Sequence, residues 1–317
     1  MTNEVASDRP LNARQLKGAT VNVEDLIALR GVKLPLRTAA NATSGPHGGS
    51  RWSRHRGRGV DFAEVRLYQP GDDVRSIDWR VTARKAKPHT KVYREERERP
   101  TLIVIDQTRA MFFGSRVRMK SVAAAECAAL LAWHSVDAGD RVGGLVFDDA
   151  TEYAFKPFRS ARAVVRLLNQ IGSSNAALRS SVVVPGKRAH RLPTVLEHVV
   201  RIARNGHRVY LISDFLGFND DDERQLKRIA RHNSVALIHV SDPLEQELPP
   251  PDRYTVTDGI VRSVLSTGDT RARQRYRDDF LAHTGRLESA CHATRSQFIR
   301  LSTNEAAVVR LGERLVH

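Results

Sequence analysis

From Thr101 onward the apolar positions fall into two alternating rhythms. "TLIVID" is a short continuous apolar run, the signature of a strand covered on both faces. "RMKSVAAAECAALLAWHSV" follows, rich in Ala and Leu around most of its circumference, which predicts a central helix. "DRVGGLVFDD" and "EYAFKPF" read as two strands joined by a turn near Asp149. "SARAVVRLLNQIG" is a helix with Ser160 as its N-cap, and "LPTVLEHVVRIARNG" is a second helix with Gly206 as its stop. "HRVYLISDF" is a strand, "DDDERQLKRIARHN" a helix with acids in its first turn, and "SVALIHVSD" another strand. "YTVTDGIVRSVL" predicts a hairpin on an Asp-Gly turn. A long helix through "RQRYRDDFLAHTGRLESACHA", a strand "FIRLS" and a closing helix end the chain. Strands alternating with helices in this way predict an open, mostly parallel α/β sheet with helices on both faces.

The N-terminal part breaks the rhythm. "VEDLIALRG" is a short helix stopping at Gly31, followed by a Gly- and Ser-rich stretch that carries Arg51, Arg54, Arg56 and Arg58. That stretch is a solvated loop or an arm for anions or a partner. "SIDWRVTA" alternates Ile77, Trp79 and Val81 against Asp78 and Arg80, as a two-faced strand does, and "KVYREERERP" continues in extended style. The expected organisation is a helix and basic flexible loop over 1–57, a β-rich segment over 58–100, and an α/β domain over 101–317.

Charge narrows the choice of partners. Lys and Arg number 51 against 36 Asp and Glu, a formal net charge of +15, which favours nucleic acid, anionic membrane or an acidic protein surface. Only 6% of residues are aromatic, few for a protein that stacks single-stranded bases. "MTNEVASDRP" lacks the basic and apolar regions of a secretory signal, and "VAAAECAALLAW" is too short to span a bilayer and contains Glu126. Cys127 and Cys291 are isolated, as reduced thiols in a cytoplasm are. The expectation is a cytoplasmic protein with no membrane span. There is no GxxxxGK[ST] and no HExxH, so neither P-loop nucleotide hydrolysis nor zincin chemistry is expected.

Candidate chemistry gathers at strand ends, where open α/β sheets bind ligands. Asp106 closes "TLIVID" and Asp214 closes "VYLISD". If the two strands are neighbours, their carboxylates need a cation, a proton or an arginine between them. Mg²⁺ held by carboxylates, a hydroxyl and waters suits the place. Alternatively both acids accept backbone N–H bonds at the strand-to-helix turns.

"VIDQTRAM", "GDRVGGLVF" and "LISDF" resemble a von Willebrand factor A domain. The upstream block "RGVDFAEVRLYQPGDDVRSIDWRVTAR", together with "HVSDPLEQELP", resembles domain-of-unknown-function family 58, soluble proteins commonly encoded beside MoxR-type AAA+ ATPases. The resemblance implies a von Willebrand factor A-like (Rossmann-like) domain with an N-terminal β-rich insertion. It also implies a role with a MoxR-type AAA+ ATPase in assembling or maturing client proteins, and it defines no reaction. At the metal-ion-dependent adhesion site of A domains, Asp106 matches the first position, Thr108 the second and Asp214 the last. The third position is Ala110, which cannot ligate, and the later threonine falls near His190, where no hydroxyl is in register. The implied site is degenerate, with Arg109 available to supply the cation.

The family block carries Asp72, Asp73, Arg75, Asp78 and Trp79. Pro70-Gly71 suits a type II turn, Asp72 and Asp73 can tie down its N–H groups, Arg66, Arg75 and Arg80 can pair with the acids, and Trp79 can pack beneath them. Such a stretch is a structural turn or a partner surface. With no complete catalytic set, a non-enzymatic adaptor is expected; the alternatives are a nucleic-acid-binding protein using its basic surface and a metal-dependent hydrolase at Asp106 and Asp214.

Overall fold

The computed structural model describes residues 15–35, 60–69, 72–95, 99–180, 191–257 and 262–315. Their contacts form two compact units, the smaller drawn from Thr43–Glu98 and the larger from the rest. Helix α1 (Val23–Ala28) opens the larger unit and continues as a single 3₁₀ turn to Gly31. It lies within the larger unit, with Leu26 and Leu29 buried in its core, so the part of 1–57 that is described is not a separate segment.

In the smaller unit, β1 (Val60–Leu67) runs antiparallel to a later strand and is followed by a 3₁₀ turn at Val74–Ser76. The next element is a helix, α2 (Trp79–Lys85), where alternation of apolar and polar residues predicts a strand. Capping decides the matter: the Asp78 carboxylate accepts from the N–H groups of Arg80 at 3.0 Å and Val81 at 3.1 Å, which starts a helix at Trp79. The helix ends at Ala86 in the left-handed conformation, φ +53°. Strand β2 (His89–Glu95) then returns along β1.

The larger unit is built on a six-stranded sheet. In chain order its elements are β3 (Thr101–Asp106), α3 (Lys120–Asp137), β4 (Val142–Phe147), β5 (Glu152–Phe158), α4 (Ala161–Ala177), α5 (Leu192–Ile202), β6 (Arg208–Ser213), α6 (Asp220–Ala230), β7 (Ser234–Ser241) and α7 (Pro243–Gln246). A two-stranded hairpin, β8 (Arg253–Thr257) and β9 (Arg262–Ser266), precedes α8 (Thr270–Thr294), β10 (Gln297–Ser302) and α9 (Ala307–Arg314). The sheet order is β10-β7-β6-β3-β4-β5; only β5 is antiparallel to its neighbour. The Asp258-Gly259 turn of the hairpin lies outside the described residues.

Helices cover both faces of this sheet, which is why its central strands are continuously apolar. One face packs Ile103, Ile105, Tyr210, Ile212 and Ile238 under α1, α3, α4 and α9. The other packs Leu102, Val104, Val209, Leu211 and Leu237 under α5, α6 and α8. Ser160 caps α4 through the Ala163 N–H at 3.2 Å, as its position predicts. Helix α5 stops earlier than expected, at Ile202, and Gly206 at φ +79° serves the turn into β6 instead. The Gly-Gly pair in β4 marks a close approach: a Cβ at Gly144 would lie 2.5 Å from a Leu167 methyl of α4.

Helix α3 is enclosed almost completely, and Glu126 lies in its middle, 1% exposed. Burying an ionised carboxylate demands partners. Glu126 accepts from the Leu16 N–H at 2.7 Å, from the Ala307 N–H at 3.1 Å and from the buried Arg118 guanidinium. The N-terminal segment and α9 are thereby anchored to one charge, and Trp133 adds a bond to the Leu26 carbonyl at 3.0 Å. Among the described residues no helix is long and apolar enough to cross a membrane. Glu126→Ala strands Arg118 and two backbone donors, so it should lower unfolding stability by about 3–5 kcal/mol. Urea denaturation checks this, and a loss below about 1 kcal/mol would show that the carboxylate is not a structural anchor.

Candidate functional site

Strands β3 and β6 are direct parallel neighbours, with Ile105 opposite Ile212, so their carboxyl ends bring Asp106 and Asp214 side by side. Both are buried. Asp106 accepts from the Thr108 N–H at 2.8 Å and from the Ser213 hydroxyl at 2.6 Å. Asp214 accepts from the Leu216 N–H at 2.9 Å through one oxygen. Its other oxygen lies 2.7 Å from the ammonium of Lys120, which is 2.6 Å from Glu245 as well. Lys120, 2% exposed, is the first residue of α3, and Glu245 belongs to α7 after β7.

These neighbours set the charge states. Burial, reinforced by the nearby Asp214 charge, raises Asp106 to about 7, although Ser213 and Thr108 hold it back. Burial also opposes ionisation of Asp214, but the Lys120 ammonium outweighs it and the pKa falls below the ordinary value. Lys120 is raised, because Asp214 and Glu245 overcome its own desolvation. His239, buried beside this group, is lowered to about 3 by desolvation and by His283, so it is neutral.

The region matched by the family model described as "Protein of unknown function DUF58", residues 64–286, takes in every one of these side chains. The chain belongs to the DUF58 family. Relatives from Mycobacterium bovis and from two strains of Mycobacterium tuberculosis, all named as uncharacterized proteins, are 32% identical over 213 residues. That alignment covers 65% of this chain, and the chain spans 63% of the length of these relatives. Among solved structures, a conserved hypothetical protein BatB from Bacteroides thetaiotaomicron matches 67% of this chain and 95% of its own, at 14% identity and a TM-score of 0.40. An aerotolerance-related membrane protein from Bacteroides fragilis, carrying multiple mutations to serine, matches 66% and 95%, at 13% identity and a TM-score of 0.36.

In this DUF58 protein the expected acids meet, but the cation beside them is not the expected one and pairs with Asp214 alone of the two. Arg109 is directed away: its guanidinium donates to the Leu178 carbonyl at 2.5 Å and lies over the Phe112 ring. Lys120 pairs with Asp214 and Glu245 instead, and neither Lys120 nor Glu245 is marked by the spacing of the A-domain pattern. Two signals were available: a lysine opening a helix that is apolar all round, and the Asp-Pro-Leu-Glu capping box of "HVSDPLEQELP". The residues present do not fit a divalent ion, because an ammonium already occupies the convergence point and Ala110 offers no ligand. Among the described residues no three of His, Cys, Asp and Glu are grouped to hold a metal.

The family block in the smaller unit ties its acids mostly to its own backbone. Asp72 accepts from the Gln69 N–H at 2.9 Å and pairs with Arg66 at 2.8 Å, and Asp73 accepts from the Arg75 N–H at 3.0 Å. Asp78 caps α2, as described. Trp79 does not pack beneath the acids, as expected, but stands 68% exposed at the start of α2. Arg75 and Arg80 are exposed as well. Pro70, Gly71, Arg51, Arg54, Arg56, Arg58 and His190 lie outside the described residues, and so do the side chains of Asp61 and Glu64.

The raised Asp106 makes a pH prediction whose sign is fixed. The folded state binds this proton more tightly than the unfolded one, so Asp106 favours folding most at low pH. That contribution is lost as pH rises from 3.8 to about 7. Asp106→Asn, which resembles the protonated acid and cannot ionise, should therefore gain stability relative to the wild type as pH rises across this window. Paired denaturation curves across the window test this; a difference that does not change with pH would refute it.

Proposed function

We propose that this protein is a non-enzymatic interaction adaptor on a von Willebrand factor A-like domain. It works with a MoxR-type AAA+ ATPase in the assembly or maturation of client proteins. The observation that carries the reading is the turn after β6. Phe215 adopts φ +53° with its ring buried against Phe218, Gly217 follows at φ +83°, and Leu216 between them is 54% exposed. A left-handed phenylalanine costs about 1 kcal/mol or more and persists only where its surroundings hold it. Here the Ser213 hydroxyl accepts from Phe215 N–H at 2.9 Å, and the Asp214 carboxylate accepts from Leu216 N–H. Phe113, 41% exposed, lies over the same Lys120 ammonium, 6.0 Å from ring centre to nitrogen.

Two apolar side chains thus stand in water beside a rigid, charge-saturated strand end. Scattered exposed leucines are ordinary, but one displayed by a strained turn is pre-organised to bind. The strand-end acids, each satisfied by an internal group, support docking over catalysis. The test is co-expression with a MoxR-type AAA+ ATPase from the same source and affinity purification in MgATP. The wild type should retain the ATPase, and Leu216→Glu should weaken retention at least about tenfold with Tm unchanged, as for a central apolar anchor. Failure of the wild type to retain it, or full retention by Leu216→Glu, would sink the proposal.

A further inference from the structure

We infer that Trp79, with Arg75, Arg80 and Arg84, is a docking surface for an acidic segment of a partner protein that carries one apolar anchor. Trp79 is 68% exposed at the head of α2. Val74 and Leu67 are the other large apolar side chains that the described part of the smaller unit exposes. Single exposed leucines and valines are ordinary, but tryptophan is enriched where binding energy concentrates. The backbone that carries it is pinned. The Asp78 N–H donates to the His89 carbonyl at 2.8 Å, Ile77 bridges Thr90, and the Ser76 and Thr90 hydroxyls hydrogen-bond at 2.6 Å. Beyond Trp79, the Thr82 hydroxyl accepts from the His89 N–H at 3.0 Å. Leu67 pairs with the same His89 from β1, so β2 begins between β1 and the segment that leads into Trp79. An indole on fixed backbone has only two χ angles to lose when a partner covers it.

Charge selects the occupant. Asp72, Asp73 and Asp78 are occupied by the N–H groups of Gln69, Arg75, Arg80 and Val81. The arginines are not occupied in return. Among the described residues no ion pair or hydrogen bond engages the side chains of Arg75, Arg80 or Arg84, and all three are exposed. The block therefore shows solvent an indole among free guanidinium groups. A second copy of the chain is a poor occupant, because each copy carries a net +15. Its acid run at the start of α6 is also paired internally with Arg224 and Arg286. Nucleic acid would match the charge, but single-strand binders stack successive bases on several aromatics. Trp79 is the one exposed aromatic among the described residues of this unit. An acidic protein segment meets both features, with carboxylates for the guanidinium groups and an apolar side chain against the indole. The surface belongs to a different unit from the turn at Leu216, so the inference stands whether or not an ATPase docks there.

The probe is a set of short labelled peptides in which glutamates surround one central Leu, Phe or Pro. Each has a version with lysine for glutamate and a version with serine for the anchor. Binding to the full chain is read by fluorescence anisotropy. Saturable binding is expected for the acidic, anchored peptides and for neither control series, and it should weaken as salt rises. Trp79→Ala should weaken it at least about tenfold with Tm unchanged, since the side chain is mostly in water in the free protein. Arg75→Glu combined with Arg80→Glu should weaken it by at least as much and flatten the salt dependence. If Trp79→Ala loses its fold, the arginine pair carries the test alone. Leu281→Ala, at an exposed apolar position of α8, should leave binding unchanged. No saturable binding by any acidic peptide, full binding by the Trp79 or arginine variants, or an equal loss in Leu281→Ala overturns the inference. A single-stranded oligonucleotide that binds tighter than every peptide and depends on Trp79 would assign the surface to nucleic acid instead. Dimers in sedimentation that Trp79→Ala disperses would assign it to a second copy, and either result overturns the proposal.

Discussion

Helix α3 is the constraint on which the larger unit rests, because it carries two charges that cannot reach water. Only His134, Val136 and Asp137 of its residues escape full burial, so Lys120 and Glu126 must find partners inside the protein. A buried ion pair is weak support for stability against a well-packed apolar alternative, yet once present it is costly to break. That asymmetry makes the two charges positional determinants. Glu126 fixes where Leu16, Arg118 and Ala307 lie, and Lys120 fixes the end of β6 and the start of α7. One helix therefore positions both the segment at Leu16 and the carboxyl end of β6.

How far this was legible from the residues depended on the range of the interaction. The central strands were readable because helices on both faces leave no polar side, so "TLIVID" and "SVALIHVSD" appear as unbroken apolar runs. Ser160 was readable because a cap acts over three residues. "SIDWRVTA" misled because two local signals compete there: alternation favours a strand, while Asp78 bonding to two N–H groups favours a helix, and in a two-stranded unit little packing enforces the strand. Trp79 changed from buried support to exposed surface with that switch, since the first turn of a helix points it elsewhere.

The strand-end pair was legible and the counter-ion of Asp214 was not. Asp106 and Asp214 each end an apolar run, and parallel neighbours necessarily bring such ends together. The ammonium comes from 94 residues away from Asp214 and 125 away from Glu245, and no short spacing encodes such a meeting. Arg109 was the nearer cation in sequence, but its long fork reaches the Leu178 carbonyl rather than the acids. Nearness along the chain was the wrong guide because the Arg109 side chain is committed to the Leu178 carbonyl and the Phe112 ring.

A cation supplied by the chain itself has a mechanical consequence that a diffusible ion lacks. Its presence does not depend on ion concentration, so Asp214 keeps its counter-ion wherever the folded protein goes. The charge also reaches the surface through a single residue: Lys120 holds one oxygen of Asp214, and the other oxygen holds the Leu216 N–H. The Asp106 carboxyl steadies the same turn from the other side through Ser213, whose hydroxyl accepts from Phe215. An apolar side chain kept in water by such bonds has already lost the freedom that a partner would otherwise have to remove. The buried charge and the exposed leucine are thus two ends of one arrangement, in which satisfying the first pre-organises the second.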